Sequence, residues 1–567
     1  MPLHLPFRPT GRTADAPHTV AFDTGASHLS ADRRRLDLAA LVAASDRDAP
    51  DHVDLVVIGA GVTGAGVALD ATTRGLDVLL VDAHDLAFGT SRWSSKLAHG
   101  GLRYLATGDV GIARRSAKER GILLETSAPH LVHAVPQVVP VQDRYSLANR
   151  ILPRLGFFAG DLLRVAAGTS STTLPWSRTV SPKTVRRLCP AVETDDLRFG
   201  YVNYDGQLID DARLVTDLAR TAAGYGARVL THTRAVEAHG DRVVLQDELG
   251  TGTPFTVTAG AVVNATGVWA GDLDPQVTVR PSRGTHLVVD AAAVGDPDGA
   301  LTVPVPGHTN RFCFILPEQL GRCYIGITDE EPDSDDIPDV PEVPDADVDW
   351  ILGVVNQALH TDLTTGDVIG AYAGLRPLVE FAGTGGAGGS TADLSREHVI
   401  LTGTGQNARL VTVTGGKLTE YRLMAEQTVD VVAGLLRADG SAPGPCVTDR
   451  LPLVGAPDSG PCRDMQATEL IGLPTSLIDR FGWEAPQVVA DCIVDRPLDP
   501  VGFVGDGAGR RAVDTVRAEF SWHVTREGAV TVDDLLDRRS RIGLVDTDRA
   551  ACEETAREVL RAAGLPA

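Results

Sequence analysis

Cysteine is scarce and poorly placed for structural duty: seven in 567 residues, odd in number, widely separated and without a Cys-x-x-Cys pair. That argues against a disulfide framework and a cysteine-built zinc site, no metal is expected, and a reducing cytoplasm suits the pattern. Long apolar runs are missing too. No stretch of about 18 apolar residues occurs, and the opening "MPLHLPFRPTGRTADAP" lacks the apolar core of a secretory signal, so no spanning segment is expected. Positive charge is in deficit, with 52 Lys plus Arg against 75 Asp plus Glu and a formal net charge of −23. This balance argues against nonspecific nucleic-acid binding, and the scattered acidic residues read as solvated surface. What remains is ordinary globular composition, 43% apolar and 22% charged, in a chain long enough for a multi-domain enzyme.

Residues 1–50 mix Pro, Asp, Arg and His and read as a partly disordered N-terminal extension, with a short helix expected at "SADRRRLDLAALVAAS". Residues 51–445 alternate short apolar strands with helical segments, as an α/β core interrupted by a second sheet would. "EFAGTGGAGGSTADLS" reads as a mobile loop, and "VILTGTG" and "LVTVTGG" as a hairpin leading into an amphipathic helix on Leu418, Tyr421, Met424 and Thr428. After a proline-bearing linker, residues 446–567 read as a helical C-terminal domain.

The stretch from Asp54 to Ala83 reads as strand, glycine turn, helix, strand. Gly59, Gly61 and Gly64 form G-x-G-x-x-G: the first serves a tight turn, the second a close approach of backbone to a pyrophosphate, the third helix–strand packing. The helix N-terminus would face the phosphate charge, and Asp82, ending the next strand, would accept from the adenosine ribose. This motif does not choose between NAD and FAD. Two later stretches do: Thr266 and Gly267 in "NATGVWAGDL" match a second flavoprotein contact, and Gly415 and Gly416 precede a long helix whose N–H groups could approach a flavin. FAD is the expected cofactor, in a Rossmann-like FAD-binding domain with an inserted α+β substrate domain.

At "SSKLAHGGLRYL" the sequence resembles the FAD-dependent glycerol-3-phosphate dehydrogenases, with further matches in order at "SRGTHLVV", "YIGITD", "YAGLRPL", "SREH", "GGKLTEYR" and "VDDLLDRRSRIGLVD". The resemblance runs from about Asp54 nearly to the C-terminus. It implies oxidation of glycerol 3-phosphate to dihydroxyacetone phosphate, with membrane quinone as acceptor and association with the inner face of the cell membrane. It further implies cofactor contacts at Ser95, Lys96, His99 and Gly100. Arg376 and Arg396 carry forks suited to bidentate phosphate binding, and the resemblance puts both near substrate. Arg103 and Tyr104 are expected to contact substrate and help close the pocket. Lys417, heading a helix where a cation is unfavourable, is assigned to substrate or flavin charge with Thr419 beside it. His286 is the chosen base, His99 its competitor, and Arg376 an aid to the developing alkoxide. Three departures from the family pattern stand out: Glu420 where a threonine is usual, Asp82 where glutamate is commoner, and Trp93, which bears on access near the flavin.

"NRILPRLGFFAGDLLRVAAG" sets Arg150, Arg154 and Arg164 among Ile, Leu and Phe, as an interfacial segment would, although a packed helix with exposed arginines fits as well. An oxygen-using oxidase, an amine or amino-acid oxidase on a related scaffold and a non-catalytic flavin sensor are the alternatives, and a homodimer is left open.

Overall fold

The computed structural model describes residues 20–567 apart from 46–51, 103, 105–107, 144–146, 251, 309–310, 333–335, 381–396 and 439. Arg103, Arg396 and nearly all of the glycine-rich 380–395 stretch therefore lie outside the described residues.

Two sheets organise the chain. In the first, five strands run parallel in the order Leu410–Gly415, Phe255–Asn264, His52–Ile58, Val78–Val81 and Arg228–Leu230. The apolar run of His52–Ile58 is central and covered on both faces, as a strand buried in a parallel sheet must be. One face is covered by the helices Val62–Thr73, Asp211–Gly224 and Tyr421–Arg437. The helices Val62–Thr73 and Tyr421–Arg437 cross closely because Gly66 presents no side chain: a Cβ there would stand 3.0 Å from the Tyr421 ring. The other face is capped by the strands Thr233–Ala238 and Arg242–Asp247 and by the helix Ala31–Ser45, whose Leu41 is fully buried.

That N-terminal helix corresponds to the segment read from "SADRRRLDLAALVAAS". It is tied down by Arg34, which donates to the carbonyls of Thr231 and His232 and pairs with Asp247. Residues 1–19 lie outside the described residues.

The second sheet is mostly antiparallel, and its longest pairing joins Thr278–Asp290 to Val368–Glu380. It packs a separate apolar core around Val138, Leu287, Ile315, Ile325 and Ile351. The chain beyond 446 is mainly helical and builds two small cores, one of which takes in Leu320 from beside the second sheet. Buried ion pairs fasten it to the rest: Arg213 to Glu527, Arg220 to Glu484, Arg322 to Asp548, and Arg538 and Arg539 to Asp85. Removing one partner would leave a buried charge, at about 3–5 kcal/mol each.

Candidate active site

The strands His52–Ile58, Val78–Val81, Phe255–Asn264 and Leu410–Gly415 are parallel and in register, so their carboxyl ends share one edge. Gly59, Asp82 and Thr266 follow three of those ends directly or within two residues and Gly415 is the last residue of the fourth, the position where open α/β sheets bind ligands. The glycine turn is built from backbone on backbone. Gly59 sits at φ +102°, and a Cβ would lie 2.6 Å from the Ala265 carbonyl oxygen. A Cβ on Gly64 would be 1.8 Å from the carbonyl oxygen of Gly59 itself. Asp82 closes the turn by accepting from the Ala60 N–H at 2.6 Å and from the His84 N–H at 2.8 Å, while burial pushes its carboxyl above the usual range. Thr266 and Gly267 are set by Asn264, whose side-chain oxygen accepts from the Thr266 hydroxyl and whose amide donates to the Ala270 carbonyl. Gly267 has φ +63° and open space where a side chain would be, so its backbone is approachable. Gly415 and Gly416 are both left-handed, and a Cβ on Gly415 would meet the Glu397 carbonyl oxygen at 2.9 Å. These glycine cradles fit a dinucleotide cofactor.

The turn Thr90–Arg92 joins this edge to the second sheet. Ser91 accepts from the Val62 N–H at the start of the glycine-turn helix, and Thr90 donates to the Leu375 carbonyl on the strand carrying Arg376. Beyond it, the chain lies across one face of the second sheet, where residues 282, 284 and 286 oppose 376, 374 and 372. Two glycines make room. A Cβ on Gly374 would be 2.7 Å from the Trp93 Cβ, and one on Gly284 would be 2.5 Å from a guanidinium nitrogen of Arg376.

On that face Ser95 Oγ stands 2.9 Å from His286 Nε2. The imidazole is buried and stacks on Tyr372 at 4.8 Å, while its Nδ1 has no hydrogen-bond partner. Burial first, then the charges of Lys96 and Arg376, hold its pKa well below the usual histidine value, so the ring is neutral. Arg376 donates to Ser282 Oγ, to the Asp329 carboxylate and to the Thr328 carbonyl, which fix its fork.

Lys96 is held by a buried acid and two aromatic rings. Its ammonium is buried, 2.9 Å from Asp211, and over the Tyr324 and Tyr372 rings, so it supports the floor beneath His286. Gly100 donates to the buried Asp205, which pairs with Arg120. His99, half-buried, follows the strand Leu97–Ala98. Trp93 stacks on Tyr372 at 5.5 Å and also meets the guanidinium groups of Arg92 and Arg541 at 4.2 and 4.9 Å from its ring centroid, which makes it an anchor for the C-terminal part of the chain.

Lys417 lies 3.9 Å from the Tyr104 ring centroid, donates to Ser116 Oγ at 3.0 Å and is 3.4 Å from Glu420. Thr419 is buried beside it. Sequence reasoning missed Tyr372, Asp211, Asp329 and Ser116. Only Tyr372 left a signal, four residues before Arg376 on an alternating strand.

A sheet edge of glycine cradles joined to a second sheet with a buried neutral histidine and a fixed arginine defines an FAD-dependent oxidoreductase. Residues 54–422 match the family described as FAD dependent oxidoreductase, and residues 446–564 match the C-terminal domain of alpha-glycerophosphate oxidase. The chain is 52% identical over 549 residues to glycerol-3-phosphate dehydrogenase 1 of Mycobacterium tuberculosis, covering 96% of this chain and 99% of that one. A mitochondrial glycerol-3-phosphate dehydrogenase of Arabidopsis thaliana is 33% identical over 90% of this chain and 82% of its own length. The structure of the glycerol-3-phosphate dehydrogenase of Bacillus halodurans complexed with FAD superposes with a TM-score of 0.66 at 26% identity, covering 93% of this chain and 94% of that one. The chain belongs to the FAD-dependent glycerol-3-phosphate dehydrogenase family.

Proposed function

We propose that the chain oxidises sn-glycerol 3-phosphate at C2 to dihydroxyacetone phosphate and passes the electrons to membrane quinone. The observation that carries the reading is the Thr90–Arg92 turn, which couples the glycine-turn helix through Ser91 to the Arg376 strand through Thr90. Bound FAD supplies the two-electron acceptor for the C2 hydride. Gly59, Gly61, Gly64 and Asp82 hold its ADP half, and Thr266, Gly267, Gly415 and Gly416 offer backbone to the remainder. Arg376 grips the substrate phosphate and steadies the alkoxide. His286, a neutral ring able to accept, takes the hydroxyl proton, with Ser95 Oγ 2.9 Å from its Nε2 to orient it. Lys417 and Tyr104, paired at 3.9 Å, are assigned to the substrate as well.

Quinone as acceptor requires access to a bilayer. No helix among the described residues is long and apolar enough to cross a membrane. The helix Leu147–Ala167 instead carries a stripe at Ile151, Leu155, Phe158, Leu162 and Val165, spaced three and four residues apart and about half exposed, with Leu155 at 60%. Its arginines are engaged with the protein: Arg150 pairs with Asp143, Arg154 donates to Ser177, and Arg164 is buried against Thr169. The stripe supports apolar insertion at a membrane surface, in keeping with a chain of net charge −23. Binding to vesicles should then survive high salt, and Leu155→Glu with Phe158→Glu should abolish it while leaving dye-linked activity intact. Glycerol 3-phosphate should drive rapid reduction of a soluble quinone and slow oxygen uptake. Fast peroxide formation would point to an oxidase.

A further inference from the structure

We infer that Glu420 is a positioning residue that holds Lys417 in place and offsets its charge, so lowering the flavin potential and loosening the site's grip on dianions. The inference rests on the assignment of Lys417 to substrate or flavin charge and extends it to both.

Lys417 stands just before the short 3-10 turn Leu418–Glu420 that leads into the helix Tyr421–Arg437, where the helix end is already positive. Its side chain is only 10% exposed, and that of Glu420 only 4%. A hydrogen-bond chain joins them: the Lys417 ammonium donates to Ser116 Oγ at 3.0 Å, and the Ser116 hydroxyl donates to Glu420 Oε1 at 2.5 Å. The direct Lys417–Glu420 approach is 3.4 Å, longer than either step. Glu420 thus acts largely through Ser116, which sits on the packed helix Val110–Ile122. The Tyr104 ring face lies 3.9 Å from the same ammonium. Lys417 is therefore met by a hydroxyl, an aromatic face and a carboxylate.

Two consequences follow. The ammonium is fixed in direction, which a long flexible side chain would otherwise pay for in rotamer entropy. Its field toward any neighbouring anion is also weakened by a buried negative charge, and in a site shielded from water such a charge is felt over several ångströms. A threonine at 420, as in the family pattern, would carry no such charge.

The test uses the FAD-loaded full chain with Glu420→Gln, which keeps size and an oxygen for the Ser116 hydroxyl, beside Glu420→Thr and Lys417→Gln. Removing the carboxylate charge should raise the two-electron midpoint potential of the bound flavin by about 30 mV, the equivalent of a tenfold gain for the reduced form. It should also tighten binding of dihydroxyacetone phosphate about fivefold and lower KM more than it changes kcat. Glu420→Thr should move both quantities the same way, and Lys417→Gln should move both the opposite way. If Lys417→Gln shifts potential and affinity but Glu420→Gln alters only thermal stability, Glu420 is merely structural and the inference fails alone. If Lys417→Gln leaves potential and affinity unchanged, the assignment of Lys417 fails and the inference with it.

Discussion

Replacing Gly64 and Gly61 separately by alanine divides packing from cofactor binding within one turn. At Gly64 the new methyl would stand 1.8 Å from the Gly59 carbonyl oxygen. Relieving that contact means moving backbone by more than an ångström within a segment pinned by the Gly59 N–H to Val81 and the Ala265 N–H to Ile58. Overpacking of this kind costs about 1–3 kcal/mol, so Gly64→Ala should lower the melting temperature even of the FAD-free protein. Because Gly59 is itself displaced, FAD affinity should fall about tenfold to a hundredfold, each factor of ten being about 1.4 kcal/mol. At Gly61 the nearest atom to a new methyl is Ser91 Oγ at 3.1 Å, the end of a rotatable side chain. Rotation would forfeit its bond to the Val62 N–H, about 1 kcal/mol, so the FAD-free protein should be only slightly weakened. The same methyl would occupy the approach reserved for the pyrophosphate, so FAD affinity should fall as far as in Gly64→Ala. Thermal melts of FAD-free protein and fluorescence titration with FAD read the two effects apart. A Gly61→Ala protein that binds FAD with undiminished affinity would mean that the pyrophosphate does not approach this turn.

His286→Gln should lower kcat about 10²–10⁴-fold with little effect on FAD content, measured by steady-state kinetics and flavin absorbance. Because the folded imidazole has its pKa well below the usual histidine value, protonation, which removes the base, comes only at more acid pH. The acid limb of kcat/KM should therefore lie below about 6.5, and a limb at or above it would count against this base. Arg376→Ala should lose about 3 kcal/mol of transition-state binding, near a hundredfold in kcat/KM. Gly284→Ala should approach that loss without changing any charge, since its methyl would displace the Arg376 guanidinium from 2.5 Å; kinetics indistinguishable from wild type would mean the fork has no fixed role.

What could be read from sequence was what is local in it. The glycine turn, its helix Val62–Thr73 and the strand Val78–Val81 depend on neighbours within thirty or so residues, and periodicity with turn chemistry locates them. The glycine of "SRGTHLVV" could be quoted but not explained. Its reason is Arg376, which lies across a strand pairing and 92 positions away. The partner of Lys96 was hidden for the same reason: Asp211 opens a helix 115 residues later, and only the fold brings the two together as a buried ion pair. Glu420 and Trp93 were visible as departures from the family pattern. Their consequences came from Ser116 in one case and from Arg541, near the far end of the chain, in the other.

Electron transfer from glycerol 3-phosphate to FAD is the reaction on which every residue role above depends. Anaerobic titration of the FAD-loaded protein with glycerol 3-phosphate, followed by flavin absorbance, tests it without any assumption about the acceptor. Bleaching should be stoichiometric and reversed by added quinone. Full FAD occupancy with no bleaching at saturating substrate would contradict it.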